Sequence, residues 1–198
     1  GMDLLYPTAL IFPTTAVVYR PFLHRFFIIS LSLWPQRDSN MYEKTLVIVK
    51  PDGVQRRMVG TLISRFENVG LKIHAMRFVQ TTEAQSKAHY AEHVDKPFYP
   101  SLEAYITVGP ALVFVLGGTL AIAKVRQLVG DTEPASALPG TIRGDYAHQP
   151  LERGSDRFLC NLVHASANAE DAEREVALWF GPDEVLDYAM IDDMYTGL

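Results

Sequence analysis

The chain predicts an α+β fold: a ferredoxin-like βαββαβ core, with an antiparallel sheet carrying helices on one face and further helices added to it. Two short apolar runs, residues 45–49 and 111–116, have the length of strands rather than helices. Each precedes a stretch with apolar residues at helical spacing, such as Val59, Leu62, Ile63 and Phe66. Glycine and proline punctuate the joins, so strands and helices alternate from residue 41 onward.

In order, residues 45–49 form the first strand and run into the turn signal Lys50-Pro51-Asp52-Gly53. A helix follows over 59–66, closed by Gly70. Residues 73–80 form a second strand, and Thr82 caps a helix that runs to His93. Pro97-Phe98-Tyr99-Pro100 breaks the chain, and Ser101 caps a short helix over 102–107. Residues 111–116 form a buried strand that Gly117-Gly118 ends. A helix over 119–129 stops at Gly130, and a long irregular stretch spans 131–155. Residues 158–163 form the last strand, 169–180 the last long helix, and 184–189 a short terminal helix.

The regular pattern divides the chain into an N-terminal extension, residues 1–40, and a domain over 41–198. The extension scatters Pro7, Pro13, Pro21 and Pro35 among aromatics with no sustained period. Its apolar run over 26–34 falls short of the roughly 20 residues a membrane span needs. Arg20, His24 and Arg25 before that run give it a loose likeness to a signal peptide, but Pro35-Gln36-Arg37-Asp38 is no cleavage site. An organelle transit peptide is the alternative reading: three Arg against two Asp make the segment mildly basic, although serine is not abundant. The reading adopted is a non-catalytic extension, with Gly1-Met2 a cloning remnant and Met41 a natural start.

A net charge of −5 gives no reason to expect nucleic acid or an anionic membrane as partner. Cys160 is the only cysteine, so no internal disulfide can form, which suits a reducing, cytoplasmic setting. It lies in an apolar run and reads as a small buried hydrophobe.

No Gly-Lys pair occurs, so the chain has no P-loop; phosphates would need Lys50, Arg126 or Arg143, each at an element end or in a Gly-rich loop. Arg143 lies in Pro139-Gly-Thr-Ile-Arg-Gly-Asp145, where its planar fork suits phosphate oxygens. Any one of these cations alone reads as a solvated charge. His164 ends an apolar run, and Glu175 lies on the helix that follows. A histidine held at a strand end, its tautomer fixed by a carboxylate, can attack phosphorus. His74 reads as structural. His89-Tyr-Ala-Glu-His93 matches His-x-x-Glu-His, a weaker zinc reading that needs a third ligand such as Glu170 or Glu173.

The segments Lys50-Pro-Asp-Gly-Val-Gln-Arg56, Pro110, Arg126, Pro139-Gly-Thr-Ile-Arg-Gly-Asp145 and Asn161-x-x-His164-x-Ser166 occur in this order. Together they strongly resemble nucleoside diphosphate kinase, over residue 41 to about 190. The resemblance implies ping-pong transfer of a γ-phosphoryl group from a nucleoside triphosphate to a diphosphate through phospho-His164, with broad base specificity. Glu175 would fix the imidazole, beside Ser166. Lys50 would sit between the γ-phosphate and the ribose 3′-hydroxyl, which Asn161 also reaches, and Tyr90 would bond near the phosphate. Arg126, Thr132 and Arg143 would hold phosphate oxygens, with Mg2+ bridging the phosphates and held mainly by them. Phe98 would stack on the base and Leu102 line its pocket, a contact any base can make. A homo-oligomer, hexamer or tetramer, is also implied.

Two features depart from the family pattern. His164-Ala165-Ser166-Ala167-Asn168 lacks the Asp and Ser that usually follow the first serine, although Asn168 can still cap a helix. The stretch between Asp145 and Asn161 is longer than the common form, where the base pocket closes opposite Phe98, and Cys160 replaces a usual arginine.

Overall fold

The computed structural model describes residues 41–150 and 160–191. Four strands form one antiparallel sheet in the order β2-β3-β1-β4. They are β1 (Tyr42–Val49), β2 (Lys72–Gln80), β3 (Pro110–Thr119) and β4 (Val163–Ala165). The helices are α1 (Pro51–Gln55), α2 (Val59–Glu67), α3 (Glu83–His89), α4 (Tyr99–Thr107), α5 (Ala121–Val129), α6 (Ile142–Tyr146) and α7 (Ala169–Trp179). This is the βαββαβ order expected, with α1, α3, α4, α6 and α7 added to the core. Among the described residues no helix is long and apolar enough to cross a membrane.

The central strands β1 and β3 read as continuous apolar runs because both their faces are covered. Val47, Val49, Leu112, Phe114 and Leu116 point to one face, where Leu62 and Phe66 of α2 and Val125 and Val129 of α5 meet them. Leu46, Ile48, Val113 and Val115 point to the other, against Tyr105 and Ile106 of α4 and Trp179 of α7. The two crossover helices therefore share one face, as the βαββαβ core requires. The expectation of helices on one face alone is incomplete, because α4 and α7 close the second. Each buried side chain of this size contributes roughly 1.5–3 kcal/mol relative to exposure.

Local signals set several boundaries. Thr82 caps α3 through a reciprocal capping box with Gln85, and Asn168 caps α7 by accepting from the Asp171 N–H. The α3 helix stops at His89, and a separate 3-10 turn covers Ala91–His93. Ser101 does not cap α4: the helix starts two residues earlier, with Pro100 in its first turn. A missing N–H costs nothing there, and proline presets the helical φ. Leu120 adopts a left-handed φ of 51°, so α5 starts at Ala121 and Thr119 stays in the strand. Part of the stretch expected to be irregular is ordered, as a 3-10 turn over Pro134–Ser136 and as α6, capped by Thr141.

Three expectations near the C-terminal part change. The last strand is Val163–Ala165, set by pairing with Val47–Val49 of β1, so His164 lies inside it rather than after it. The expected strand residues 158–159 lie outside the described residues. Cys160 is exposed, since the strand does not reach back to bury it. The terminal helix over 184–189 does not form beyond a 3-10 turn at Pro182–Glu184. Instead the Leu186 N–H donates to the His74 carbonyl, the Tyr188 hydroxyl to Ile73, and Lys72 to the Tyr188 carbonyl.

Gly117 does not end a strand. It sits within β3, facing His74 and Tyr42, and a Cβ there would overlap both side chains. His74 is buried; its Nδ1 donates to the Leu186 carbonyl at 2.6 Å, so its Nε2 accepts from the Tyr42 hydroxyl at 2.7 Å. Gly117→Ala therefore destabilises the fold by about 1–3 kcal/mol in urea unfolding. Gly60→Ala, in α2 with open space around it, stabilises by roughly 0.5–1 kcal/mol.

Candidate active site

The strand β4 is entered through a strained turn. Leu162 has φ 68°, rare for a residue with a branched side chain, and the Val163 N–H donates to the Asn161 carbonyl at 2.8 Å. That two-residue bond makes an uncommon, strained γ-turn. Its surroundings hold it. The Lys50 N–H donates to the Leu162 carbonyl at 2.8 Å, and the Leu162 N–H to Asp52 Oδ2 at 3.2 Å. The Tyr105 hydroxyl donates to the other Asp52 oxygen. Arg143 is buried and donates to four carbonyls: Asn161 at 3.1 Å, Val163 at 2.7 Å, Gly130 at 3.0 Å and Asp131 at 3.1 Å. A guanidinium has five N–H donors, so one remains.

Two residues past the turn, His164 Nε2 donates to Glu175 Oε2 at 2.9 Å. The Ser166 hydroxyl donates to the same oxygen at 2.7 Å and accepts from the Leu46 N–H at 3.2 Å. An ionised carboxylate only accepts, so the proton sits on Nε2 and Nδ1 keeps its lone pair. Burial, then the charges of Lys50, Arg143 and Arg126, lowers the His164 pKa to about 3, so the ring is neutral near pH 7. Burial raises Glu175 above its ordinary value. Glu175 follows Ala172 by three residues and precedes Trp179 by four, which puts all three on the buried face of α7. That spacing was the available signal that this carboxylate faces inward rather than to solvent.

His164 borders a cleft of about 350 Å³. The cleft gathers nine residues singled out in the sequence: Lys50, Tyr90, Phe98, Leu102, Arg126, Thr132, Arg143, Asn161 and His164. Ser166 and Glu175 lie behind His164 instead. Lys50 is buried and its Nζ donates to Asn161 Oδ1 at 2.7 Å, while Asn161 Nδ2 donates to the Thr132 carbonyl at 3.1 Å. Burial first, then Arg143, lowers the Lys50 pKa to about 7. Arg143 is lowered to about 10 by burial and by Arg126, and stays charged. The Tyr90 hydroxyl is buried without a hydrogen-bond partner among the described residues. Leu102 is buried and Phe98 half-buried at the far wall, with His93 5.5 Å from the Phe98 ring. A larger groove near 600 Å³ lies elsewhere, along Ile122, Ala172, Val176 and Phe180. It is apolar and gathers no nucleophile or cation cluster, so the smaller cleft is the chemical site.

Cations and no carboxylate line the described part of the cleft, so an acidic chain is locally built for an anion. The zinc reading of His89 and His93 does not hold. The helix ends at His89, so the two side chains are not on one helical face; His89 packs against His164 and His93 against Phe98. Sequence reasoning also missed Asp52, read only as part of a turn. Its partner Leu162 is 110 positions away, beyond any local signal.

A family model described as nucleoside diphosphate kinase matches residues 43–185. The nucleoside diphosphate kinase of Pyrococcus abyssi is 47% identical over 156 residues, which cover 79% of this chain and 95% of that one. A solved structure of the Borrelia burgdorferi enzyme, a transition-state mimic with vanadate and ADP, is 40% identical with TM-score 0.75, covering 80% of this chain and 99% of its own. The Halobacterium salinarum enzyme, solved with CDP, is 43% identical with TM-score 0.70, covering 78% and 97%.

Removing Asp52 would leave the Leu162 N–H without its acceptor and take one bond from the Tyr105 hydroxyl. Asp52→Ala is expected to destabilise by roughly 1–3 kcal/mol, read as a lower urea midpoint with an unchanged slope.

Proposed function

The chain belongs to the nucleoside diphosphate kinase family, and we propose that His164 Nδ1 carries its reaction, the transfer of a γ-phosphoryl group from a nucleoside triphosphate to a nucleoside diphosphate. The observation that carries this reading is the Glu175 bond to Nε2, which leaves Nδ1 as the nucleophilic nitrogen beside a cationic cleft. In the first half-reaction Nδ1 attacks the γ-phosphorus, a P–N bond forms, and the bond to the β,γ-bridging oxygen breaks. The ring becomes cationic, and Glu175 accepts from its Nε2–H throughout. A second diphosphate reverses the step. This ping-pong route lets one cleft serve both nucleotides in turn.

Phosphoryl transfer has a loose transition state, so positioning and charge decide the rate. Lys50 and Arg126 place positive charge on the phosphates. Arg143 has one N–H left for a phosphate oxygen, so its larger work is to hold the turn before His164. Thr132 and the Tyr90 hydroxyl are further phosphate partners, and Lys50 with Asn161 meets the ribose 3′-hydroxyl. Phe98 stacks on the base above Leu102, which favours broad base specificity. No carboxylate lines the described cleft, so Mg2+ would be held by the phosphates themselves, where it neutralises their charge. A cytoplasmic homo-oligomer, tetramer or hexamer, completes the reading. Residues 1–40 are assigned no catalytic part, and the longer segment after Asp145 falls largely outside the described residues.

Incubation with γ-labelled ATP should give an acid-labile, base-stable phosphoprotein, and His164→Ala should abolish it. Persistent label in that variant, or nucleotide bound without exchange, would overturn the reading. A chain beginning at Met41 should label as fully; a large loss would bring residues 1–40 into the enzyme.

Lys50 gives a second test. Near pH 8 its amine is mostly neutral in the empty site, because burial holds its pKa to about 7. Phosphate favours the ammonium form, so binding should take up a proton between pH 7 and the ordinary lysine range. Calorimetry of ADP binding in buffers of different ionisation heat should show this uptake in the wild type and not in Lys50→Met.

A further inference from the structure

His89 has no part in the reaction above, yet its ring meets the His164 ring edge-to-face, with centroids 4.5 Å apart. It is buried, and its Nδ1 accepts from the Trp179 indole N–H at 3.2 Å. An indole nitrogen can only donate, so Nδ1 of His89 is unprotonated and the neutral ring carries its hydrogen on Nε2. That Nε2 is buried with no hydrogen-bond partner among the described residues. An interior donor left unmade is destabilising, so its persistence calls for a reason.

A ring nitrogen of His89, one of His164 and an oxygen of Glu175 lie within 4.8 Å of one another. Two histidines and a carboxylate could in principle hold a transition metal. The tautomer argues against it: the Nδ1 lone pair is taken by Trp179, and Nε2 carries the hydrogen. His89 also does not line the cleft.

We infer that His89 is a positioning residue for His164: fixed by Trp179 as a neutral Nε2–H tautomer, it forms a rigid wall that keeps the His164 ring on Glu175 and its Nδ1 aimed into the cleft. Two further observations support this. The backbone of His89 is anchored at the end of α3, where Arg174 of α7 donates to its carbonyl at 3.4 Å, and the Trp179 bond holds its ring. Burial, and then His164 itself, lowers the His89 pKa to about 3, so it does not compete as a cation for Glu175. Ser166, which fixes the same Glu175 oxygen from the other side, completes the frame.

The inference rests on His164 as nucleophile, and its test separates the two. Nitrogen NMR of 15N-histidine protein should show both His89 and His164 as Nε2–H tautomers in the wild type, whether or not the protein transfers phosphate. Trp179→Phe, which keeps the ring packing and removes the donor, should release His89 into a tautomer mixture. His89→Leu should lower kcat for phosphoryl transfer by about 10-fold or more, with nucleotide Kd unchanged and His164 no longer purely Nε2–H. His89→Gln, whose amide can reoccupy the Nε2 position, should recover part of that loss. A His89 that is Nδ1–H in the wild type, stoichiometric zinc binding, or a His89→Leu variant with unchanged kcat and His164 tautomer would overturn the inference. A parallel fall in kcat and nucleotide affinity with a lower unfolding midpoint would assign His89 a merely structural part and overturn it as well. Failure of wild-type labelling with ATP would instead strike the family reaction and leave the tautomer result standing.

Discussion

A leucine in a left-handed turn decides where the proposed nucleophile points. Leu162 with φ 68° reverses the chain into β4, and His164 follows two residues later. Left alone, such a conformation would relax, at a cost on the order of 1–3 kcal/mol to hold. Three groups from two parts of the chain hold it: the backbone of Lys50 and the carboxylate of Asp52 from one turn, and the guanidinium of Arg143. Residues expected to touch phosphate therefore also build the backbone that aims the attack. At Arg143 one side chain serves both ends, so binding and aiming cannot be varied independently there, whereas Lys50 holds the turn through its backbone N–H and its side chain can be changed alone.

Burial then sets the chemistry. His164 is kept neutral because an imidazolium there would be poorly solvated and would face three cations. Lys50 is held near neutrality for the same reason. An arriving phosphate changes both conditions at once, since its charge offsets the cations and replaces lost solvent. The empty cleft is thus strained electrostatically, and the ligand that relieves it is an anion.

Much of the fold was legible because it is local. Apolar runs gave β1 and β3, helical spacing gave α2 and α5, and the caps Thr82 and Asn168 stand where side-chain chemistry puts them. The errors arise where distant partners override local signals. Gly117 reads as a strand end, yet it is a gap left for His74 and Tyr42. The length of β4 is set by β1, and the terminal residues follow β2 instead of coiling. The site was legible through its motifs, which brought nine residues to one cleft. What those motifs could not show was the supporting layer, Asp52, His89 and Trp179, whose contacts join residues far apart in sequence.

The sheet order has a consequence for how such a molecule comes into being. The first strand, β1, lies beside the last, β4, and Leu46 is bonded to Ser166, 120 positions later. During synthesis Lys50 emerges early, Arg126 and Arg143 follow late in the chain, and the histidine and its carboxylate emerge after them. Closing so long a loop is slow, and domains in general consolidate as units. The proposed catalytic histidine and its carboxylate are therefore the last pieces to arrive, and β4 can lock into place only against a strand made at the start. A chain that stops short of α7 carries the charges of the cleft and His164, but not the Glu175 carboxylate that fixes its ring.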